Sequence, residues 1–204
     1  MHIYFRSMFV GLGSLSLVVF AGCASDKHAG KPAVQMDPSE HGFVAGTGVE
    51  SQDLVQVSDK MARSIIATPQ IANAKNPPTI GLLPVENNTR FPIQKDIFNK
   101  RIKALLNSKC AGKVTFVARD RIDALKKEKS MKAAGEVTNT GEKPLLGVDF
   151  FLTGELTGLS SASSAGRSDY VLYTFRLIDA ENSAEVWEDM DEIKKQGLED
   201  AAYR

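Results

Sequence analysis

The sequence predicts an α/β fold in a single domain, a mixed four- to five-stranded sheet flanked by helices. Apolar residues recur at helical spacing over Leu54, Val57, Met61 and Ile65, and again over Ile93, Ile97, Phe98, Ile102, Leu105 and Leu106. Between them "TIGLLPV", residues 79–85, is apolar at successive positions, as expected of a strand covered on both faces. From residue 148 onward the period changes to strict alternation, which belongs to strands with one buried face.

Taken in order, residues 1–22 form a signal peptide: a short basic start (His2, Arg6), the apolar run "MFVGLGSLSLVVF", then small residues. The run is too short and too broken by glycine for a spanning helix. Ala21 and Gly22 stand directly before Cys23, an arrangement that resembles the lipobox of bacterial lipoproteins. That resemblance implies cleavage before Cys23, diacylglycerol on its thiol and an acyl chain on its new amino group. Several buried chains hold a protein on a bilayer where one would be marginal. Ala24 stands where the inner-membrane retention signal has Asp, so the expected destination is the outer membrane, facing the periplasm.

Residues 23–50 carry the lipidated cysteine and a tether that mixes Gly, Pro, Ser and charge without periodicity. Such a coil spans roughly 30 Å, with an extended limit of about 90 Å. The domain is expected over 51–204. Ser51 with Asp53 starts its first helix, which ends before Pro69. The strand at 79–85 leads to the helix from Ile93, "KVTFVA" is a short strand, and Asp120 caps a third helix carrying Ile122 and Leu125. The "KKEKSMK" end of that helix reads as a solvated face. "VDFFLTGEL" is a strand, "TGLSSASSAGRS" (157–168) a small-residue loop, and "DYVLYTFRLID" a long strand. The turn "AENS" joins it to "AEVWEDMDEI" as a hairpin.

Composition excludes several functions. Acidic and basic residues balance at 25 each, with no basic stripe interleaved with aromatics, so no nucleic-acid partner is expected. With Cys23 acylated, Cys110 stands alone and reads as a small buried hydrophobe. Beyond His41 there is no histidine, which removes Ser-His-Asp and Cys-His catalysis and His-ligated zinc from the domain. "GEVTNTGEK", 135–143, fails as a phosphate loop in its spacing and in the proline that follows. Glu86, Asp149 and Glu155 could pair for acid-base work, but carboxylates at strand ends are more often solvated or capping. No catalytic residue, metal, cofactor or small-molecule substrate is expected.

The stretch "PVENNTR" ends the first strand in Asn87, Asn88, Thr89 and Arg90. Asn and Thr there can shape a turn through their own backbone, and carboxyl ends of strands in open α/β sheets also favour ligands. Trp187 reads as a core or sheet-face anchor, with partner binding as the alternative.

The lipobox and tether, then "PVENNTR", "VTFVARDRIDAL", "GVDFFLTGEL" and "DYVLYTFRLIDAENSAEVWEDM", together resemble the LpoB family over roughly residues 51–195. The resemblance implies a non-enzymatic outer-membrane lipoprotein that binds and activates a bifunctional penicillin-binding protein in peptidoglycan synthesis. The candidate partner-binding residues are Asn87, Asn88, Thr89, Arg90 and Trp187. The same pattern is similar to the periplasmic part of CsgG, which implies an envelope secretion or assembly component as the alternative. A channel of that kind needs paired segments of about ten alternating residues. Only residues 169–193 have that length, and their charges fall on both faces.

Overall fold

The computed structural model describes residues 33–42, 46–109, 112–139, 141 and 143–197. Cys23 and Cys110 lie outside them. The chain divides into a leading unit, 1–34, and a body, 35–204. Of the leading unit only Ala33 and Val34 are described, and both are exposed.

In chain order the body contains α1 (Ser51–Ala67), α2 (Pro69–Ala72), β1 (Thr79–Asn88), α3 (Asp96–Lys109) and β2 (Thr115–Phe116). A 3-10 turn (Arg119–Arg121) follows, then α4 (Ile122–Ala133), β3 (Phe150–Ser163), β4 (Gly166–Asp179) and β5 (Glu185–Gly197). The strands form one five-stranded sheet in the order β2-β1-β3-β4-β5. β1 runs parallel to β2 and β3, and β3, β4 and β5 are antiparallel. This is the expected mixed α/β architecture.

Side-chain alternation explains which face is covered. Val171, Tyr173, Phe175 and Leu177 of β4 are buried, as are Leu152 and Leu156 of β3. Helix α1 closes over this face with Val57, Met61 and Ile65, and α3 with Phe98, Ile102 and Leu106. The Phe98 ring lies 5.6 Å from that of Tyr173 and 6.0 Å from that of Phe175, within the range of favourable tilted aromatic pairs. Gly154 makes room for this layer. A Cβ there would meet the Phe175 ring at 2.6 Å and the Thr174 carbonyl oxygen at 2.9 Å.

Several boundaries differ from the sequence reading for local reasons. Helix α1 is capped by Glu50, not Ser51: the Glu50 side chain accepts the Asp53 N–H, and Asp53 accepts the Glu50 N–H at 2.8 Å. Residues just before it are packed as well, with Thr47 and Gly48 buried. Asp120 falls in the 3-10 turn and makes no cap for α4, which starts after Arg121. The largest correction concerns residues 157–168, which are not a loop. The β3–β4 ladder runs on through Ser160↔Asp169 to Ser163↔Gly166, leaving Ser164 and Ala165 as the turn. Small residues give no apolar alternation, yet they pair their backbones as well as any others.

Charged side chains fasten the edge strand β5 to α1. Lys195 meets Asp53 at 2.6 Å and the Gly48 carbonyl at 2.9 Å, while Lys60 and Gln56 both reach Asp191 at 3.1 Å. The Trp187 indole N–H donates to Ser64 Oγ at 3.0 Å. The hairpin that a membrane channel would need, β4 and β5, is therefore built into the core sheet of the domain.

Candidate functional site

The end of β1 is organised by its own side chains. Asn87 Oδ1 accepts from the Thr89 N–H at 3.1 Å and from Thr89 Oγ1 at 2.7 Å. Asn87 Nδ2 donates to the Phe91 carbonyl at 2.8 Å, and the Phe91 N–H donates to Thr89 Oγ1 at 3.2 Å. Four hydrogen bonds within five residues make the compact polar turn that Asn and Thr favour after a strand. Gly158 of β3 lets this turn approach, since a Cβ there would lie 3.2 Å from Thr89.

Arg90 leaves the turn and crosses to β4. Its Nε donates to Asp169 Oδ1 at 2.9 Å and its Nη2 to Asp169 Oδ2 at 2.7 Å, a two-pronged pairing that suits the planar guanidinium. Asp169 is 1% exposed. Ser160 and Thr47 also donate to its two oxygens. Burial by itself raises a carboxyl pKa, but here it is outweighed by the Arg90, Ser160 and Thr47 hydrogen bonds and the Arg90 charge, which hold Asp169 well below the usual carboxylate range. Arg90 also lies 4.3 Å from the centre of the Phe91 ring. One cluster thus joins the segment before α1, the exit of β1, and strands β3 and β4.

Asn88 behaves differently. It is exposed and pairs with Thr157 in the β1–β3 ladder, on the face away from α1 and α3. Its Nδ2 donates to Glu155 Oε1 at 2.8 Å. The register places Glu86, Glu155, Thr174 and Met190 in one row of this face and Asn88, Thr157, Leu172 and Glu192 in the next. Leu159, 71% exposed, and Met190, 51% exposed, are its most prominent apolar side chains. Arg176 lies between Glu155, at 3.5 Å, and Glu185, at 4.0 Å. The hydrogen bond that protonated Glu185 donates to Glu188, together with desolvation and the Glu188 charge, raises the Glu185 carboxyl above its usual value against the opposing charge of Arg176. On this open face Leu159, Leu172 and Met190 run diagonally across β3, β4 and β5, and the acidic side chains outnumber the basic Arg176 and Lys194.

The five candidate contact residues therefore do not form one surface. Asn87, Thr89 and Arg90 direct their polar atoms into the fold, and Asn88 lies on the open face. Trp187 is half-buried on the helix-covered face beside Leu177. Leu177 and Asp169 are eight residues apart on β4, which is about 27 Å of strand. Asp169, Ser160 and Thr47 are the members that sequence reasoning missed. Asp169 did carry a signal: in "DYVLYTFRLID" it is in phase with Val171, Tyr173 and Phe175, so an acid was facing the core. The carboxylates weighed for catalysis are engaged separately. Asp149 accepts from the Thr79 N–H at 2.7 Å and ties the start of β1 to that of β3, whereas Glu155 belongs to the open face. Among the described residues no helix is long and apolar enough to cross a membrane.

The sequence model of the family described as peptidoglycan-synthase activator LpoB matches residues 53–193. Comparison with curated proteins gives no match. Among solved structures, the NMR structure of LpoB from Escherichia coli is 11% identical and aligns over 94% of this chain and 97% of that one, with a TM-score of 0.40. The LpoB C-terminal domain from Salmonella enterica is 11% identical over 65% of this chain and 94% of that one, with a TM-score of 0.39. Lipoprotein GNA1162 from Neisseria meningitidis is 19% identical over 59% and 84%, with a TM-score of 0.35. The family match extends from the first turn of α1 into β5 and so takes in every strand of the sheet. The chain belongs to the LpoB family of peptidoglycan-synthase activators.

Proposed function

We propose that this protein is an outer-membrane lipoprotein, anchored through Cys23, that binds a bifunctional penicillin-binding protein through the open face of its sheet and raises its activity. The family match over 53–193 carries this reading. The open face supplies the contact chemistry: Leu159, Leu172 and Met190 on a diagonal across β3, β4 and β5, and Glu86, Glu155, Glu188 and Glu192, which outnumber Arg176 and Lys194 there and suit a basic partner surface. Activation without chemistry of its own requires tighter binding to the active state of the synthase than to the inactive one. A coupling of about 1–3 kcal/mol corresponds to roughly 5- to 150-fold in affinity between those states.

The full chain, reconstituted with the cognate synthase, should accelerate glycan polymerisation saturably and leave peptidoglycan unchanged when alone. Leu159→Lys and Met190→Lys should weaken that acceleration while the unfolding midpoint stays in place, because both side chains already face water. Undiminished activation by the double variant removes the open face as the contact. Failure to bind any synthase of the same cell removes the reading itself.

The anchor has a separate test. Intact mass of the mature chain should show Cys23 as the first residue with its acyl groups, and Cys23→Ser should accumulate as uncleaved precursor or be released from the membrane. An unmodified Cys23 thiol in the wild-type protein defeats this part.

A further inference from the structure

Strand β2 pairs with β1 only at Thr79↔Thr115 and Ile80↔Phe116, and β1 then continues without it to Asn88. The vacated strand position opens a cleft of about 250 Å³ at the carboxyl ends of the two parallel strands, the place where open α/β sheets take ligands. Leu82, Leu83 and Pro84 form one wall, at the irregularity where the β1–β3 register shifts. Asp96, Asn99, Lys100 and Lys103, spaced along one side of α3, form another, and Val117, Arg119 and Asp120 close it.

Asn99 stands in for the missing strand. It is 2% exposed, and its Nδ2 donates to the Leu83 carbonyl at 2.8 Å, as a neighbouring backbone N–H would. Its Oδ1 is buried and has no hydrogen-bond partner. A buried acceptor left without a donor costs about 1–3 kcal/mol, so the amide lacks an N–H or O–H that something else can supply. The charges point the same way. The cleft wall carries Lys100, Lys103 and Arg119 against Asp96 and Asp120; Asp120 is paired with Arg121 at 3.4 Å, while Lys100 and Lys103 have no ion pair among the described residues. The Arg119 side chain donates to the Leu146 carbonyl at 2.8 Å. A group that offers amide N–H, an apolar body and a carboxylate satisfies all three walls. The volume lies below the roughly 300–1,000 Å³ of sites for larger ligands, which limits the occupant to two or three residues.

We propose that this cleft binds a short carboxylate-bearing peptide of the kind found in peptidoglycan stems, so that the protein senses wall peptide at a site separate from the open face. The choice of wall peptide rests on the proposed function; the peptide chemistry rests on the cleft. Its amide N–H approaches Asn99, and its carboxylate meets Lys100 and Lys103.

The test uses the full-length, isotope-labelled chain in detergent and the probe N-acetyl-L-alanyl-γ-D-glutamyl-L-lysine. The expected result is saturable movement of the Leu83 and Val117 backbone signals and of the Asn99 side-chain amide. Lys100→Ala with Lys103→Ala should weaken binding at least about tenfold, the size of one lost charged contact, at an unchanged unfolding midpoint. The same peptide with its carboxylates amidated should not bind. No signal movement, equal movement with the amidated peptide, or equal binding by the double-lysine variant overturns the proposal. Tighter binding of the all-L, α-linked isomer overturns the assignment to wall peptide. Synthase activation is measured in parallel: activation without peptide binding defeats only the cleft, and peptide binding without activation defeats only the proposed function.

Discussion

Arg90→Ala is expected to lower folding stability by about 2–4 kcal/mol, through the carboxylate it abandons more than through its own lost contacts. Removing one partner of a buried ion pair costs about 3–5 kcal/mol, because the remaining charge is left out of water. Asp169 is such a charge, with its side chain fully buried, but the Arg90 side chain is 32% exposed, so screening trims the figure. Ser160 and Thr47 still donate to Asp169 and limit the loss further. Arg90→Lys keeps the charge and loses the fork that reaches both oxygens, so it should recover only part of the stability. Adding Asp169→Asn to Arg90→Ala removes the stranded charge and should recover more.

The same pair fixes the pH response. The Asp169 pKa is depressed on folding, so the native state holds its proton less tightly than the unfolded chain, whose aspartates titrate near about 3.9. Its contribution is complete above that value and is lost as pH falls below about 4 toward the depressed folded value. Denaturant midpoints compared at neutral and acid pH should therefore fall for the wild type, and fall less for Arg90→Ala. An Arg90→Ala protein with an unmoved midpoint but lost synthase activation would instead make Arg90 a contact residue.

The fold was legible wherever a period reported burial. The α1 and α3 stripes and the alternation of β4 each reflect one covered face, and covered faces are what the sheet and helices share. Legibility ended where backbone pairing continued without apolar side chains. Residues 157–163 and 166–168 extend the β3–β4 hairpin through serine, alanine and glycine, whose composition resembles a loop although the ladder is continuous. The strand exit was legible as a turn but not as a junction. Asn87 and Thr89 act over two to four residues, a range that sequence spacing expresses. Arg90 acts on a residue 79 positions away, and Thr47 on one 122 away, and only the folded sheet brings those together. Asn99 was hidden for the same reason: a polar residue on a helix carries no mark of the missing strand it replaces.

Trp187→Ala should destabilise the domain by about 2–4 kcal/mol and loosen β5 before the rest of the sheet. Complete truncation of a buried tryptophan costs about 3–5 kcal/mol; Trp187 is half-buried, packed against the core beside Leu177, and its loss should lie somewhat lower. The position matters because β5 is the sheet edge, paired on one side only, with β4. Its other fastenings are the α1 contacts, of which the Lys60–Asp191 pair is partly exposed and worth little alone. Trp187 adds apolar area and a hydrogen bond to Ser64 at the same seam. Trp187→Phe keeps most of the area and loses the N–H, for about 1 kcal/mol. Ser64→Ala removes the other end of that bond, so the Trp187→Phe, Ser64→Ala double variant should cost less than the sum of the two single changes. Since Trp187 is the one tryptophan in the chain, its emission reports unfolding of the wild type directly. Hydrogen exchange in β5 reports the Ala variant. An unchanged midpoint in Trp187→Ala, with synthase binding weakened, would show that the indole serves the partner and not the seam between α1 and the sheet edge.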